Sequence, residues 1–118
     1  MSELKIGHRL EDGVSVCRIE GRLDGLGASA LEVYAQQRIN QGDLRLVLDL
    51  AGVDYMSSAG LRCLLVVAKK VQSVKGSLVL CCLTPMVLNV MNLSGFQRLL
   101  RVCATQVEAV AAAAGGQR

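Results

Sequence analysis

The feature that most constrains the fold is the stretch over residues 46–71, where a strand pattern changes into a helix pattern. A short apolar run, interrupted only by an aspartate, indicates a buried strand: Leu46, Val47, Leu48, Asp49 and Leu50. Residues 51–56 are then predicted to form a loop. Beyond them, apolar side chains recur at helical spacing: Leu61, Leu64, Leu65, Ala68 and Val71. The sequence therefore predicts a strand that leads through a loop into a helix.

Two serines stand where that helix must begin. Ser57 and Ser58 precede Ala59 and Gly60, and serine is a favoured N-cap residue. A helix N-terminus presents unpaired N–H groups and a partial positive charge, so it stabilises a phosphate group. Glycine within a helix costs about 1 kcal/mol relative to alanine, and close approach of another backbone or a ligand is one reason to tolerate it. A plain N-cap with small residues for packing is the alternative interpretation.

The same residues carry a family resemblance. Residues 49–65 read Asp-Leu-x-x-Val-x-x-Met-Ser-Ser-Ala-Gly-Leu-Arg-x-Leu-Leu, which resembles the motif of STAS domains of the SpoIIAA type. The usual family motif is Asp-Ser-(Ser/Thr)-Gly-Leu, and alignment on the Gly-Leu pair puts Ser58 at the phosphorylated position. Ser57 stands where the family has aspartate. The similarity extends over about residues 4–113, which is nearly the whole chain.

The remaining apolar patterns alternate between strands and helices. Strands are predicted over residues 4–10, 14–19, 45–50, 77–83 and 99–103. Helices are predicted over residues 28–40, 61–73, 85–93 and 107–114. The order β-β-α-β-α-β-α-β-α predicts a single α/β domain of the STAS type, with helices packed on a mixed β-sheet whose first strand is antiparallel at the edge. We expect this domain to span residues 1–118, ordered over about 4–114, with residues 115–118 as a tail.

The resemblance implies a regulatory interaction module. An anti-sigma factor antagonist binds a partner serine kinase, the anti-sigma factor, until the kinase phosphorylates the serine that corresponds to Ser58; a serine phosphatase restores binding. The kinase supplies the nucleotide, the metal ion and the catalytic base for this reaction. The chain itself is therefore not expected to be an enzyme or to need a cofactor. A non-phosphorylated scaffold subunit of a transport complex, such as a phospholipid ABC transporter, is the alternative. The sequence leaves open whether the chain forms a homodimer.

The expected partner surface lies around the serine pair. It comprises Asp24, Ser57, Ser58, Ala59, Gly60, Arg62 and Val66. In the family, the segment similar to residues 21–24 lies beside the phosphorylated serine, so the resemblance implies that Asp24 borders Ser58. From its position alone, Asp24 can also cap the helix that follows. Val66 stands on the polar face of its helix together with Arg62, which makes it a candidate partner contact.

Charge is distributed unevenly along the chain. Residues 55–107 contain six Lys or Arg and no Asp or Glu, whereas residues 1–54 contain six basic and nine acidic residues. The basic half favours an acidic partner. Nucleic acid is not expected, because the basic residues are scattered and lack interleaved aromatic side chains. His8 is the single histidine, so a catalytic Ser-His-Asp arrangement would have to recruit it.

The five cysteines do not suggest a disulfide framework or a metal site, because their number is odd and no Cys-x-x-Cys occurs. Cys81 and Cys82 would point to opposite faces of a strand, which argues against shared metal ligation. We therefore expect function with reduced cysteines and without metal. The chain lacks an apolar stretch long enough for a membrane span or typical of a signal peptide, so it is expected to be cytoplasmic.

Overall fold

The computed structural model describes residues 4–115, which form alternating strands and helices. The strands are β1 (Lys5–Glu11), β2 (Val14–Leu23), β3 (Arg45–Met56), β4 (Ser77–Cys81) and β5 (Arg101–Cys103). The helices are α1 (Gly25–Asn40), α2 (Ser58–Ser73), α3 (Pro85–Ser94) and α4 (Gln106–Gly115), with a 3-10 turn at Phe96–Arg98. The predicted element order and the single α/β domain with a mixed sheet are confirmed.

The sheet is arranged in chain order, β1-β2-β3-β4-β5. The hairpin of β1 and β2 is antiparallel, and the remaining neighbours pair in parallel. The antiparallel first strand therefore lies at the edge, as predicted. Parallel strands in the middle of the sheet are covered on both faces, which explains why the run at residues 46–50 is apolar on both sides.

Helices cover the two faces of the sheet unequally. The larger core packs α1, α2 and α3 against one face and includes Leu31, Leu48, Leu64 and Val87. The smaller core packs α4 against the other face, through Val47, Val79, Ala109 and Ala113. The small alanine side chains allow α4 to lie close to the strands.

Several predicted boundaries are wrong, and the largest error concerns residues 51–56. These residues continue β3 and do not form a loop, because β2 and β3 stay paired as far as Leu23 and Met56. Helix α2 consequently begins at Ser58, not at residue 61, and α1 begins at Gly25, not at residue 28. Strand β4 ends at Cys81, because Cys82 adopts a φ of 61° that breaks the extended conformation. Gly115 belongs to α4, and the rest of the predicted tail lies outside the described residues.

Two of the three buried thiols, those of Cys17 and Cys63, predict that the stability of the domain falls at alkaline pH. Burial raises the pKa of Cys17 to about 11 and that of Cys63 to about 12, from an ordinary value of 9.0. The folded chain keeps protons that the unfolded chain loses above pH 9.0. The free energy of unfolding should therefore be constant with respect to these groups below that pH and decrease as the pH rises toward the raised pKa values.

Urea denaturation at intervals between about pH 8 and pH 11, with reductant present, measures this effect. The variant Cys63→Ala removes one of the two groups, and its free energy of unfolding should fall less steeply with pH. An equal slope in the variant and the wild type would contradict the assignment for Cys63.

Candidate functional site

Ser57 fixes the start of α2 and ties it to the end of β2. Its φ and ψ are −91° and 176°, and its Oγ accepts a hydrogen bond from the Gly60 N–H at 3.3 Å, which is the geometry of an N-cap. Its N–H and its hydroxyl both donate to the carbonyl oxygen of Leu23, at 3.1 and 3.4 Å. Ser57 therefore has a structural role, and its side chain is engaged within the domain.

Ser58 differs from Ser57 in every respect that matters for modification. It is the first residue of α2 and is exposed. Its hydroxyl makes no hydrogen bond within residues 4–115. The N–H groups of the first helical turn lie beside it, and that turn contains no acidic side chain. The Ser58 hydroxyl is thus accessible from solvent, and a phosphate placed there would meet the positive end of the helix.

Gly60 is buried where α2 passes over β2. A Cβ at this position would overlap the Leu23 carbonyl oxygen and come within 3.0 Å of its carbonyl carbon. The close approach predicted from the sequence is therefore made by the chain's own backbone. Gly60 is buried beneath Ser58 and Arg62, which are exposed, and it seats α2 on β2, so it does not itself face a partner.

Asp24 lies at the same end of the sheet, directly after the residue that holds Ser57. Its Oδ1 accepts a hydrogen bond from the Gly27 N–H at 3.0 Å and caps α1. This bond lowers the pKa of Asp24, so the half-buried carboxylate stays ionised. Capping, which the sequence leaves open as one role of Asp24, is confirmed. Because Leu23 and Met56 are register partners, the beginnings of α1 and α2 are neighbours.

Arg22 and Tyr55 lie at the same end of the sheet, and the sequence pattern does not indicate them. These two residues are register partners near the ends of β2 and β3, and the Arg22 guanidinium lies 4.0 Å from the Tyr55 ring centroid. Arg22 Nε also lies 3.7 Å from Asp24 Oδ2. Only strands that continue to residues 23 and 56 bring Arg22 and Tyr55 beside the serines. The sequence pattern of residues 51–56 indicates a loop instead, so it gives no sign of this pair.

Arg62 and Val66 continue the surface along α2. Arg62 is exposed one helical turn after Ser58, and the half-buried Val66 follows after another turn. Ala59 is also half-buried. Structure and spacing thus put one cation, Arg62, within reach of a group attached to Ser58. The contacts of Val66 and Ala59 with a partner stay predictions.

Helix α3 begins at the same edge of the sheet. The Thr84 hydroxyl donates to the Val53 carbonyl oxygen at 3.4 Å and accepts from the Val87 N–H at 3.4 Å, which caps α3. The first turn of α3 also carries the exposed Met86.

The single histidine, His8, hydrogen-bonds to Ser15 at 3.0 Å and to Arg38 at 3.1 Å. The histidine is therefore engaged away from Ser58.

Comparison with known proteins points to one family. Residues 8–109 match the family model described as the STAS domain. BtrV of Bordetella bronchiseptica, named as a candidate anti-sigma factor antagonist, is 43% identical over 102 residues, which cover 86% of this chain and 87% of that protein. The anti-sigma-F factor antagonist RsfB of Mycobacterium tuberculosis is 30% identical over 107 residues, covering 90% and 86%.

The fold is shared with a solved structure. The crystal structure of an anti-sigma factor antagonist from Mycobacterium paratuberculosis superposes with a TM-score of 0.85 at 24% identity, covering 94% of each chain. Within residues 4–115, no helix combines the length and the apolar character needed to cross a bilayer.

Proposed function

The chain belongs to the STAS domain family, and on that premise we propose that it is an anti-sigma factor antagonist switched by phosphorylation of Ser58. The observation that carries the proposal is the contrast between the two serines. Ser57 is engaged as the cap of α2, whereas Ser58 is exposed beside the free N–H groups of the same helix. Only one of the two hydroxyls is thus free to be modified without loss of a structural contact.

In the unmodified state the chain binds its partner through the surface around Ser58. We propose that this surface comprises Asp24, Ser58, Ala59, Arg62 and Val66, with Ser57 and Gly60 supporting it from behind. The partner is an anti-sigma factor with serine kinase activity. The kinase supplies nucleotide, metal ion and catalytic base, so this chain acts as a protein substrate. A serine phosphatase returns Ser58 to its free form.

Phosphorylation adds about −1.5 to −2 charges at Ser58. Within the domain these charges meet the N–H groups of α2 and lie one turn from the guanidinium of Arg62. The modified chain should therefore keep its fold. In a complex, the same charges would be desolvated against the partner, which is costly without a matching cation. The switch thus acts through the interface and leaves the scaffold unchanged.

A scaffold subunit of a transport complex would use the same fold without the modification. The relatives BtrV and RsfB are both named for anti-sigma factor antagonism, and so the transport alternative gains no support from them. The state of Ser58 separates the two functions, because a scaffold subunit requires no phosphate there.

We expect the cognate kinase to phosphorylate Ser58 and not Ser57. Incubation with kinase and ATP, followed by peptide mapping, should place one phosphate on the peptide that contains both serines, and Ser58→Ala should abolish it. Ser57→Gly is the matched control, because glycine at an N-cap costs only a few tenths of a kcal/mol. It should retain phosphate incorporation. Incorporation that survives Ser58→Ala would contradict the assignment.

A further inference from the structure

A group of potential metal ligands lies on the α4 side of the sheet, on the face opposite to α2. The carboxylate of Asp49 and the thiols of Cys81 and Cys82 offer three ligand atoms that lie within 4.8 Å of one another. The sequence predicts that the two cysteines point apart. That prediction is wrong, because the φ of 61° at Cys82 ends the strand alternation and brings its sulfur back toward its neighbour.

We propose that Asp49, Cys81 and Cys82 bind one soft divalent cation of the zinc type. A tetrahedral zinc ion holds sulfur at about 2.3 Å and carboxylate oxygen at about 2.0–2.2 Å, so its ligand atoms are separated by roughly 3.5 Å. The observed ligand atoms, up to 4.8 Å apart, must come closer together to reach that geometry. Two thiolates select zinc over magnesium or calcium, which prefer oxygen ligands.

The fold sets the positions of these ligands through strand register. Asp49 on β3 and Cys81 on β4 are direct register partners, and Cys103 on β5 is the partner of Cys81. Register partners on parallel strands share one face of the sheet. Cys82 and Cys103 are half-buried and pack against the smaller core, so the group is not sealed inside the domain.

Asp49 is a buried carboxylate that lacks a cationic partner. It is 8% exposed and makes no ion pair with any lysine or arginine in the part of the chain that is described. Arg18, its register partner on β2, instead lies 3.5 Å from Glu20. A buried charge without a counter-charge is costly. A bound cation would supply the missing charge.

The carboxylate is also held in a fixed orientation, as the ligands of metal sites commonly are by hydrogen bonds from their neighbours. Asp49 Oδ1 accepts from the Ala51 N–H at 2.9 Å, and Oδ2 accepts from the side-chain amide of Gln106 at 2.7 Å. The Gln106 carbonyl oxygen in turn accepts from Arg9. Each carboxylate oxygen retains lone-pair capacity beyond its one bond, so metal ligation does not require these contacts to break.

Titration of the fully reduced chain with Co²⁺ tests the proposal, since cobalt reports thiolate ligation by a sulfur-to-metal charge-transfer band. We expect one equivalent to bind with that band, Zn²⁺ to displace it, and Zn²⁺ to raise the melting temperature by several degrees. Cys82→Ser and Asp49→Asn should each weaken Co²⁺ binding at least tenfold. Cys63→Ala, which removes a thiol on the opposite side of the sheet, should leave binding unchanged.

Absence of a one-to-one charge-transfer band in reduced wild-type protein would overturn the proposal. The proposal would also be overturned if Cys82→Ser bound Co²⁺ with the same affinity as the wild type and showed the same charge-transfer band. Asp49→Asn loses part of a buried network, so its circular dichroism is compared with that of the wild type before titration. If Asp49→Asn fails to fold, Cys82→Ser decides the question alone, because Cys82 is half-buried at the end of β4.

Discussion

Replacing Ser58 with aspartate is expected to reduce the affinity for the partner kinase at least tenfold while the melting temperature barely changes. The new carboxylate stands at the first position of α2, where the helix dipole favours a negative charge by about 0.3–1 kcal/mol. The partner must desolvate the same charge. An unmatched charge in an interface costs about 2 kcal/mol or more, which corresponds to a roughly thirtyfold loss of affinity.

Calorimetric titration against the partner, paired with thermal melts, measures both effects. Ser58→Ala should bind like the wild type, since it adds no charge. Ala111→Asp is the matched control, because it puts the same charge on an exposed position of α4, across the sheet from the serines. If Ser58→Asp and the phosphorylated protein both bind as tightly as the wild type, phosphorylation is not the switch. If Ser58→Asp unfolds the domain, Ser58 is a structural residue.

Replacing Gly60 with alanine is expected to destabilise the domain by about 2–3 kcal/mol, although alanine is the better helix former. The added methyl group has no free space, because it would overlap the Leu23 carbonyl oxygen. Relief requires α2 to move away from β2, which would also disturb the two hydrogen bonds from Ser57 to Leu23. Overpacking of this kind outweighs the helix propensity of about 1 kcal/mol that alanine contributes.

Urea denaturation gives the free energy of unfolding for this comparison. Gly25→Ala provides a matched control, because Gly25 also lies in the first turn of a helix but has no other part of the chain within 4 Å of the place that the new methyl group would occupy. That variant should be unchanged or more stable by up to about 1 kcal/mol. Equal stability of Gly60→Ala and the wild type would show that α2 is not seated on Leu23.

The local patterns are sufficient to predict the architecture and the position of Ser58 at the start of its helix. Apolar alternation and helical spacing identify strands and helices because burial imposes a period of two or 3.6 residues. Threonine and proline at residues 84 and 85 likewise mark the start of α3 correctly. These features depend on neighbours along the chain, and so a single sequence contains them.

Features that depend on distant segments are not predictable in the same way. Residues 51–56 read as a loop because Gly52 and the exposed Asp54 and Tyr55 interrupt the apolar pattern. Their extended conformation comes from pairing with β2, which lies much earlier in the chain. The contact of Gly60 with Leu23 and the backbone turn at Cys82 are also tertiary features. Each of these three features shapes a candidate site. The sequence shows which residues are present there, but it does not show that they come together.

The order of the strands has a consequence for how the chain folds. Every strand hydrogen-bonds to the strand that comes next in the sequence, so each pairing can form once that next strand has been made. The surface around Ser58 is built from residues 22–66, that is, from β2, α1, β3 and α2. Every residue of this surface has therefore been synthesised before β4, α3, β5 and α4, and β2 and β3 can pair before those elements exist.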